Sequence, residues 1–432
     1  MPQSEISGSH HTGVVIDGEL HLASTRVAGR RSRRACADRD EDAVTLGARA
    51  ALALLERRGE RERPAALVLA TTTPPYRLGG SAQPLAEILA LADDVVALEL
   101  TATAADGLTA LRAAAALAAP GRPSLVVAAH CGSRDGAEDG DGAAALLVGD
   151  GEPGVAEVAF GPARADESRE RWALAGDGAA REGDPTLTAA TAEARAREAA
   201  AGAPAGLVSL AGARATARLE RALGGPGDPL AARAGFLGAA HAPARLLAGA
   251  AEPQTLVATA NGITQAARAS PGPGAAAAAA RAAAALGGGL DADRMPAPPL
   301  DDEGFAPFQS LPRAGRERGQ ELRLEAARCP ACSRIVYPPP AASCPSCGAA
   351  GPLEPARLGR EGSVLTATRD HVYPGAATTV MAVVAIDGGG RFYGQVVPSG
   401  EAAVGDRVRL VPRVLHRGGD VVQYFWKVER CQ

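Results

Sequence analysis

Apolar positions in the first 150 residues form continuous runs in some segments and recur every three or four residues in others, which predicts a succession of strands and helices. Buried strands are predicted at four continuous apolar runs: 65–72, 94–100, 124–129 and 142–148. Helices are predicted where apolar residues recur every three or four positions: 40–57, 83–92 and 106–118. Asp40 is the expected N-cap of the first helix. Apolar strands that alternate with helices indicate a mostly parallel sheet covered on both faces.

The pattern recurs more weakly up to residue 270, where 255–260 is the last predicted strand. This gives a two-half α/β unit at 1–270, with halves at about 1–153 and 154–270. Glycine, proline and an alanine run then indicate a linker and helix at 271–320. Residues 353–432 contain five short strands with glycine turns, which predicts a small closed β-barrel.

Composition excludes several classes of protein. The 432 residues carry a net charge of −4, which argues against a dedicated nucleic-acid binder. No signal peptide or membrane span is predicted, so a cytoplasmic protein is expected. Of the 45 basic residues only Lys427 is a lysine, a skew typical of GC-rich codon usage. Arginine clusters and alanine runs therefore count for little as functional signals.

Two CxxC pairs separated by eleven residues lie between the α/β unit and the barrel, at 321–352. They are formed by Cys329, Cys332, Cys344 and Cys347. Each pair can turn two thiolates toward one ion, and a tetrahedral zinc needs two such pairs. Four thiolates leave no position for water, so the zinc is expected to be structural. Two disulfides or four free thiols are the alternatives, which a reducing cytosol makes less favourable.

The C-terminal part resembles the DUF35 family, a rubredoxin-like zinc ribbon followed by an OB-fold. The similarity runs through RCPAC, VYPPP, CPSCG, GREGSVLTATRDHVYP and YFWK. This resemblance implies association with acyl-CoA, in companions of thiolase-like enzymes or of steroid side-chain aldolases and hydratases. An OB-fold can also bind nucleic acid, but the barrel's aromatic residues are more simply read as its core.

The N-terminal part resembles the thiolase superfamily, nearest to HMG-CoA synthase and ketoacyl synthase III. The matching segments are DEDAVTLGARAAL, VLATTTPP, LTATAADGLTALRAA, GDGAAALLVG and VATANG. The resemblance implies a thiolase-like αβαβα fold in two halves, acyl-CoA as ligand, and association into a homodimer or hetero-oligomer.

The family's catalytic positions carry other residues in this chain. The cysteine nucleophile's position, before the helix that reads GLTALRAA, is Ala104, and the glutamate's position is Thr72. The histidine's position is Ser209, and the asparagine's falls near Ala239. A helix N-terminus stabilises a thiolate at the first position, and no thiol is there to be stabilised.

Other residues could replace the missing groups or contact a ligand. Cys131 and His241 could form a nucleophile and base, although an ordinary buried cysteine and a loop or helix-start histidine explain them more simply. Three arginines before the ribbon could pair with CoA phosphates, although a solvated helix face accounts for them as well: Arg313, Arg316 and Arg318.

The sequence therefore predicts a non-catalytic, acyl-CoA-binding accessory subunit of a separate thiolase, hydratase or aldolase in lipid metabolism. The alternative from another class is an active acyl-CoA acyltransferase or condensing enzyme with relocated catalytic residues. A weaker third is a nucleic-acid-binding OB-fold.

Overall fold

The structure is a computed structural model that describes most of the chain. The described residues are 14–23, 25–28, 33–59, 63–132, 139–149, 154–174, 181–200, 227–292, 311–340, 342–371, 379–398, 400–418 and 421–431. The strand expected at 206–210, the helix at 211–223 and the site residue Ser209 lie outside these ranges. No helix within them is long and apolar enough to cross a membrane.

Helices and strands alternate in the described residues, as the pattern predicts. The helices are α1 (Ala43–Arg58), α2 (Ala82–Ile88), α3 (Asp106–Leu117), α4 (Pro185–Ala200), α5 (Pro229–Ala234), α6 (His241–Ala248), α7 (Ala275–Gly287) and α8 (Leu311–Glu321). The strands up to residue 292 are β1 (Val14–Leu22), β2 (Thr25–Ala28), β3 (Arg33–Cys36), β4 (Ala66–Thr71), β5 (Val96–Leu100), β6 (Ser124–Cys131), β7 (Asp141–Gly149), β8 (Ala156–Ala165), β9 (Arg171–Trp172), β10 (Arg181–Glu182), β11 (Gln254–Ala260), β12 (Ile263–Pro271) and β13 (Leu290–Ala292). Together these elements form the α/β unit, residues 14–292.

One eight-stranded sheet, in the order β11-β12-β8-β1-β7-β6-β4-β5, is the core of the α/β unit. Two similar arrangements, β6-β7-β1 and β11-β12-β8, meet where β1 pairs antiparallel with β8. The prediction of a mostly parallel sheet is wrong, because among the described strands of this sheet only β5-β4-β6 pair in parallel. The remaining neighbours are antiparallel, among them the hairpin β11–β12.

The hairpin β11–β12 carries a strand that the pattern did not predict. Asn261 and Gly262 form its two-residue turn with φ of 48° and 80°. Both values lie in the left-handed region, which Asn-Gly tolerates and which matches the twist of paired strands. The Asn-Gly pair was therefore the available signal for β12.

Helices cover both faces of the sheet. On β1, the side chain of Asp17 bonds Arg57 of α1, whereas a Cβ on the next residue, Gly18, would meet Leu247 of α6. Successive strand residues face opposite sides, so α1 and α6 lie on opposite faces. Gly47 lets α1 approach β6, since a Cβ there would lie 2.7 Å from Val127. The result is a layered α/β/α arrangement.

Strands β2, β3 and β13 form a small sheet, as do β9 and β10, and the described strands after residue 292 form two more. The ribbon, residues 322–358, contains β14 (Glu325–Arg328), β15 (Ile335–Val336) and β16 (Glu354–Arg357). The barrel, residues 361–431, contains β17 (Glu361–Asp370), β18 (Thr379–Ile386), β19 (Arg391–Gln395), β20 (Arg407–Gly418) and β21 (Val421–Arg430). Its order is β19-β18-β17-β20-β21, and a bridge between Val396 and Val428 closes it. The five strands are those that the sequence predicts.

A buried cluster of charges joins the barrel to the start of α1. Asp40 forms ion pairs with Lys427 at 2.9 Å and with Arg413 at 3.2 Å. Arg413 also contacts Glu41 at 2.7 Å. Asp40, Arg413 and Lys427 are all almost fully buried. Buried charges are tolerated only when paired, so these contacts fix the position of the barrel on the α/β unit.

The N-cap of α1 is Asp42, and the prediction of Asp40 is wrong. The Asp42 carboxylate accepts from the backbone N–H of Thr45, and the Thr45 hydroxyl accepts from the backbone N–H of Asp42. The second carboxylate oxygen of Asp42 accepts from the Tyr424 hydroxyl of the barrel at 2.8 Å. Asp40 is unavailable for capping because the barrel's cations bind it.

We expect substitution of Lys427 by Met to lower the free energy of unfolding by about 3 kcal/mol, because Asp40 would lose one of its two cations while remaining buried. Urea unfolding measures this change. The matched control is Arg430→Met, on the same strand and exposed, for which a change within about 0.5 kcal/mol is expected. Equal effects of the two substitutions would contradict the role given to the buried cluster.

Candidate functional site

Four thiols converge in the ribbon, as their spacing predicts. The sulfur atoms of Cys329, Cys332, Cys344 and Cys347 all lie within 4.8 Å of one another. The Cys329–Cys347 and Cys332–Cys344 sulfur distances are 3.7 and 3.8 Å. Zinc–sulfur bonds of about 2.3 Å in a tetrahedron place sulfurs about 3.8 Å apart, so the cluster has the dimensions of a four-thiolate zinc site.

The backbone around the cluster favours thiolate. Backbone N–H groups of Cys347 and Ser346 point at the Cys344 sulfur and lower the pKa of that thiol to about 6. Hydrogen bonds to the charged form stabilise it, and metal ligands must be deprotonated. The donor set and its surroundings therefore fit a structural zinc ion.

A second constellation lies at the first turn of α3, where the superfamily's nucleophile position falls. Ala104 is 7% exposed, and the turn before α3 is held by the Asp106 carboxylate, which accepts from the backbone N–H groups of Ala102 and Thr103. A Cβ on Gly107 would lie 2.1 Å from the carbonyl oxygen of Ala239. The start of α3 thus packs tightly against the segment that bears the asparagine position.

Thr72 lies in the same place, at the end of β4. A Cβ on Gly238 would lie 2.3 Å from the Thr72 hydroxyl and 2.4 Å from Nδ1 of His130. The fold therefore brings together the segments bearing three of the four expected positions, Ala104, Thr72 and Ala239. Their side chains offer two methyl groups and one hydroxyl.

His130, at the end of β6, is a member of this constellation that sequence reasoning missed. Its Nδ1 lies 2.8 Å from the Thr72 hydroxyl oxygen, and it is 5% exposed. Burial, with the nearby His241, lowers the pKa of His130 to about 4, so the ring is neutral near pH 7. The available signal was a histidine ending the otherwise apolar strand SLVVAAHC.

His241 is held by partners of its own. Its Nε2 lies 2.5 Å from the Asp228 carboxylate, and its Nδ1 accepts from the backbone N–H of Leu237 at 3.3 Å. Burial acts to raise the pKa of Asp228, but His241 and Arg245 outweigh it and lower that pKa to about 2. Both ring nitrogens are engaged, which indicates that His241 anchors the 236–240 segment.

Cys131 has different neighbours. Its backbone N–H donates to the Thr73 hydroxyl at 2.9 Å, and its sulfur lies 3.9 Å from the Glu41 carbonyl oxygen. Because Nδ1 of His241 accepts from Leu237 and Nε2 is bound to Asp228, neither nitrogen is available as a base for this thiol.

The three arginines of α8 line an exposed helix surface. Arg313 pairs with Glu317 one turn away at 2.8 Å, and Arg318 lies 3.7 Å from Glu87. Arg316 is exposed. Surface pairs of this kind contribute little energy, and they leave the helix face solvated.

Most of the described aromatic residues of the barrel belong to its core. Phe392, Tyr424 and Trp426 are at most 5% exposed, whereas Tyr393 is 63% exposed. The Trp426 indole donates to the Leu322 carbonyl oxygen at 3.0 Å, which ties the barrel to the ribbon. Stacking on nucleic-acid bases needs exposed rings, so the buried rings are structural.

Comparison with known protein families agrees with the cysteine cluster. A family model described as "ChsH2, rubredoxin-like zinc ribbon domain" matches residues 316–352, which include all four cysteines. No curated protein sequence matches the chain.

Several solved structures share the fold of the α/β unit. The HMG synthase of the curacin biosynthetic pathway is 16% identical over 65% of this chain and 86% of that chain, with a TM-score of 0.54. PksG, an HMG-CoA synthase from Bacillus subtilis, is 14% identical over 65% and 86%, with a TM-score of 0.54. MvaS in complex with 3-hydroxy-3-methylglutaryl coenzyme A is 18% identical over 68% and 94%, with a TM-score of 0.52. The chain therefore joins a thiolase-like fold to a rubredoxin-like zinc ribbon and an antiparallel β-barrel.

Proposed function

We propose that this chain is a non-catalytic, acyl-CoA-binding accessory subunit that works with a separate thiolase or related carbon–carbon bond enzyme in the cytoplasm. One observation carries the proposal. The segments bearing Ala104, Thr72 and Ala239 meet at the start of α3, and the side chains at these three positions carry no thiol, carboxylate or amide. Acyl transfer by a thiolase-like fold needs an activated nucleophile at that place.

The choice of ligand rests on relatives of the same fold. MvaS was solved with 3-hydroxy-3-methylglutaryl coenzyme A, and the curacin HMG synthase was solved with a donor acyl carrier protein. Both ligands are thioester carriers. An acyl-CoA is therefore the ligand class we assign to this chain.

An exposed sheet edge supports association with another subunit. β5 is the last strand of the large sheet, and Val96 and Leu98 on it are 49% and 39% exposed. An unpaired edge with apolar side chains favours pairing with another chain. We propose that a second copy or a thiolase-family, hydratase or aldolase partner binds there, while the barrel stays fixed beside it.

The zinc is proposed to stabilise the ribbon. The wild type is expected to hold about one zinc per chain, and Cys344→Ser is expected to lose it. Loss of the zinc, by chelation or by this substitution, is expected to lower the melting temperature, because metal binding supplies folding energy to a small ribbon. Elemental analysis and thermal melting measure both effects. Cys431→Ser is the matched control, since Cys431 is exposed and outside the cluster. A zinc-free wild-type chain with an unchanged melting temperature would contradict this role.

The competing function is an active acyltransferase or condensing enzyme with relocated residues. Incubation with acetyl-CoA is expected to leave the intact mass of the chain unchanged, because the nucleophile position is Ala104. Calorimetry is expected to detect binding of acetyl-CoA. An acetyl adduct of about 42 Da, lost in Cys131→Ser, would support the enzyme instead. Cys36→Ser, at a buried cysteine elsewhere, is the control substitution. Failure to bind any CoA ester, alone or with a partner, would remove the ligand assignment.

A further inference from the structure

A cleft of about 750 Å³ opens between the α/β unit and the ribbon, beside the segment that leads into the barrel. Its described walls are the C-terminal end of α1 with Gly59, Arg63 and Pro64, the 89–93 segment after α2, and Arg323 with the 357–360 segment. This volume lies within the range of small-molecule sites, about 300–1,000 Å³. The α/β unit and the ribbon are both needed to form it.

Arginines dominate the polar lining of the cleft. Among the described residues, Arg63, Arg323, Arg357 and Arg360 line it together with two acidic residues, Glu56 and Asp93. Asp93 pairs with Arg323 at 3.0 Å, and Glu56 pairs with Arg360. The lining therefore carries two more positive than negative charges, in a chain whose net charge is −4.

Two of these arginines, Arg63 and Arg357, are exposed at the cleft. The Arg63 guanidinium makes no ion pair or hydrogen bond with any part of the chain that the structure describes. Arg357 donates from Nε to the Arg323 carbonyl oxygen at 2.9 Å. Exposed arginines gathered in one cleft attract an anion.

Apolar side chains complete the lining. Leu55, which is only partly buried, offers apolar surface to the cleft, and four leucines at most 6% exposed lie beneath it: Leu52, Leu89, Leu91 and Leu358. A site with an apolar surface and a few convergent cations fits a ligand that combines a flat ring with phosphates. The planar guanidinium fork binds phosphate oxygens in pairs, which favours arginine at such sites.

We infer that this cleft binds the phosphorylated adenosine portion of the acyl-CoA, with its phosphates at Arg63 and Arg357 and its ring against the leucines. This inference rests on the proposed function and names where the ligand's nucleotide end is held. A free adenine nucleotide shares the chemistry, so the experiment has to distinguish the two sources.

The test is calorimetric titration of the full chain with CoA, adenosine 3′-phosphate 5′-diphosphate, ATP and pantetheine. The 3′-phosphorylated ADP is expected to bind and to compete with CoA, whereas pantetheine, without phosphates, does not bind at this site. The double substitution Arg63→Ala with Arg357→Ala is expected to weaken CoA binding at least about tenfold, because two charge-assisted contacts are lost. Both residues are exposed, so zinc content and melting temperature should be unchanged.

The matched control is Arg169→Ala, an exposed arginine outside the cleft in the second half of the α/β unit, which should bind CoA as the wild type does. CoA binding that survives the double substitution would overturn the cleft assignment while leaving the proposed function in place. ATP binding as tight as CoA binding would overturn the assignment to a CoA ester. No binding of CoA by the wild type would instead count against the proposed function itself.

Discussion

Three consecutive carboxylates, Asp40, Glu41 and Asp42, determine how the parts of this molecule fit together. Asp40 binds the only lysine of the chain, Lys427, and all three contact side chains that project from the barrel. Charges this deeply buried are stable only while paired, so separating the barrel from the α/β unit would strand them without partners. Asp42 at the same time caps α1, which couples the start of that helix to the docked barrel.

The remaining geometry follows from this fixed contact. α1 runs from the carboxylates to the arginine-lined cleft, where Arg360 pairs with Glu56 near the helix end. Arg323, at the start of the ribbon, binds Glu87 and Asp93 of the α/β unit. The cleft therefore depends on how the ribbon is held against the α/β unit, and a rigid platform of this kind suits a subunit that presents a ligand to a partner.

Local signals predicted much of the fold, and tertiary contacts explain the rest. The cysteine spacing of the zinc site, the apolar runs of the first half and the barrel strands are patterns among nearby residues. The sequence was therefore sufficient to predict these features. Asp40 satisfies the pattern of an N-cap, but a cation 387 positions away binds it. His130 became part of the candidate site only when the fold brought it to Thr72. The cleft could not be foreseen, because its arginines come from distant segments and arginine is abundant throughout.

One sample can test both the absence of a nucleophile at Ala104 and the proposed binding of an acyl-CoA. The measurement follows acyl-CoA binding by calorimetry and release of free CoA thiol by a colorimetric assay, with acetyl-CoA and acetoacetyl-CoA supplied to the purified chain. Saturable binding with no thiol release above the buffer rate is expected. Sustained release of thiol by the wild type, abolished by Cys131→Ser, would contradict it.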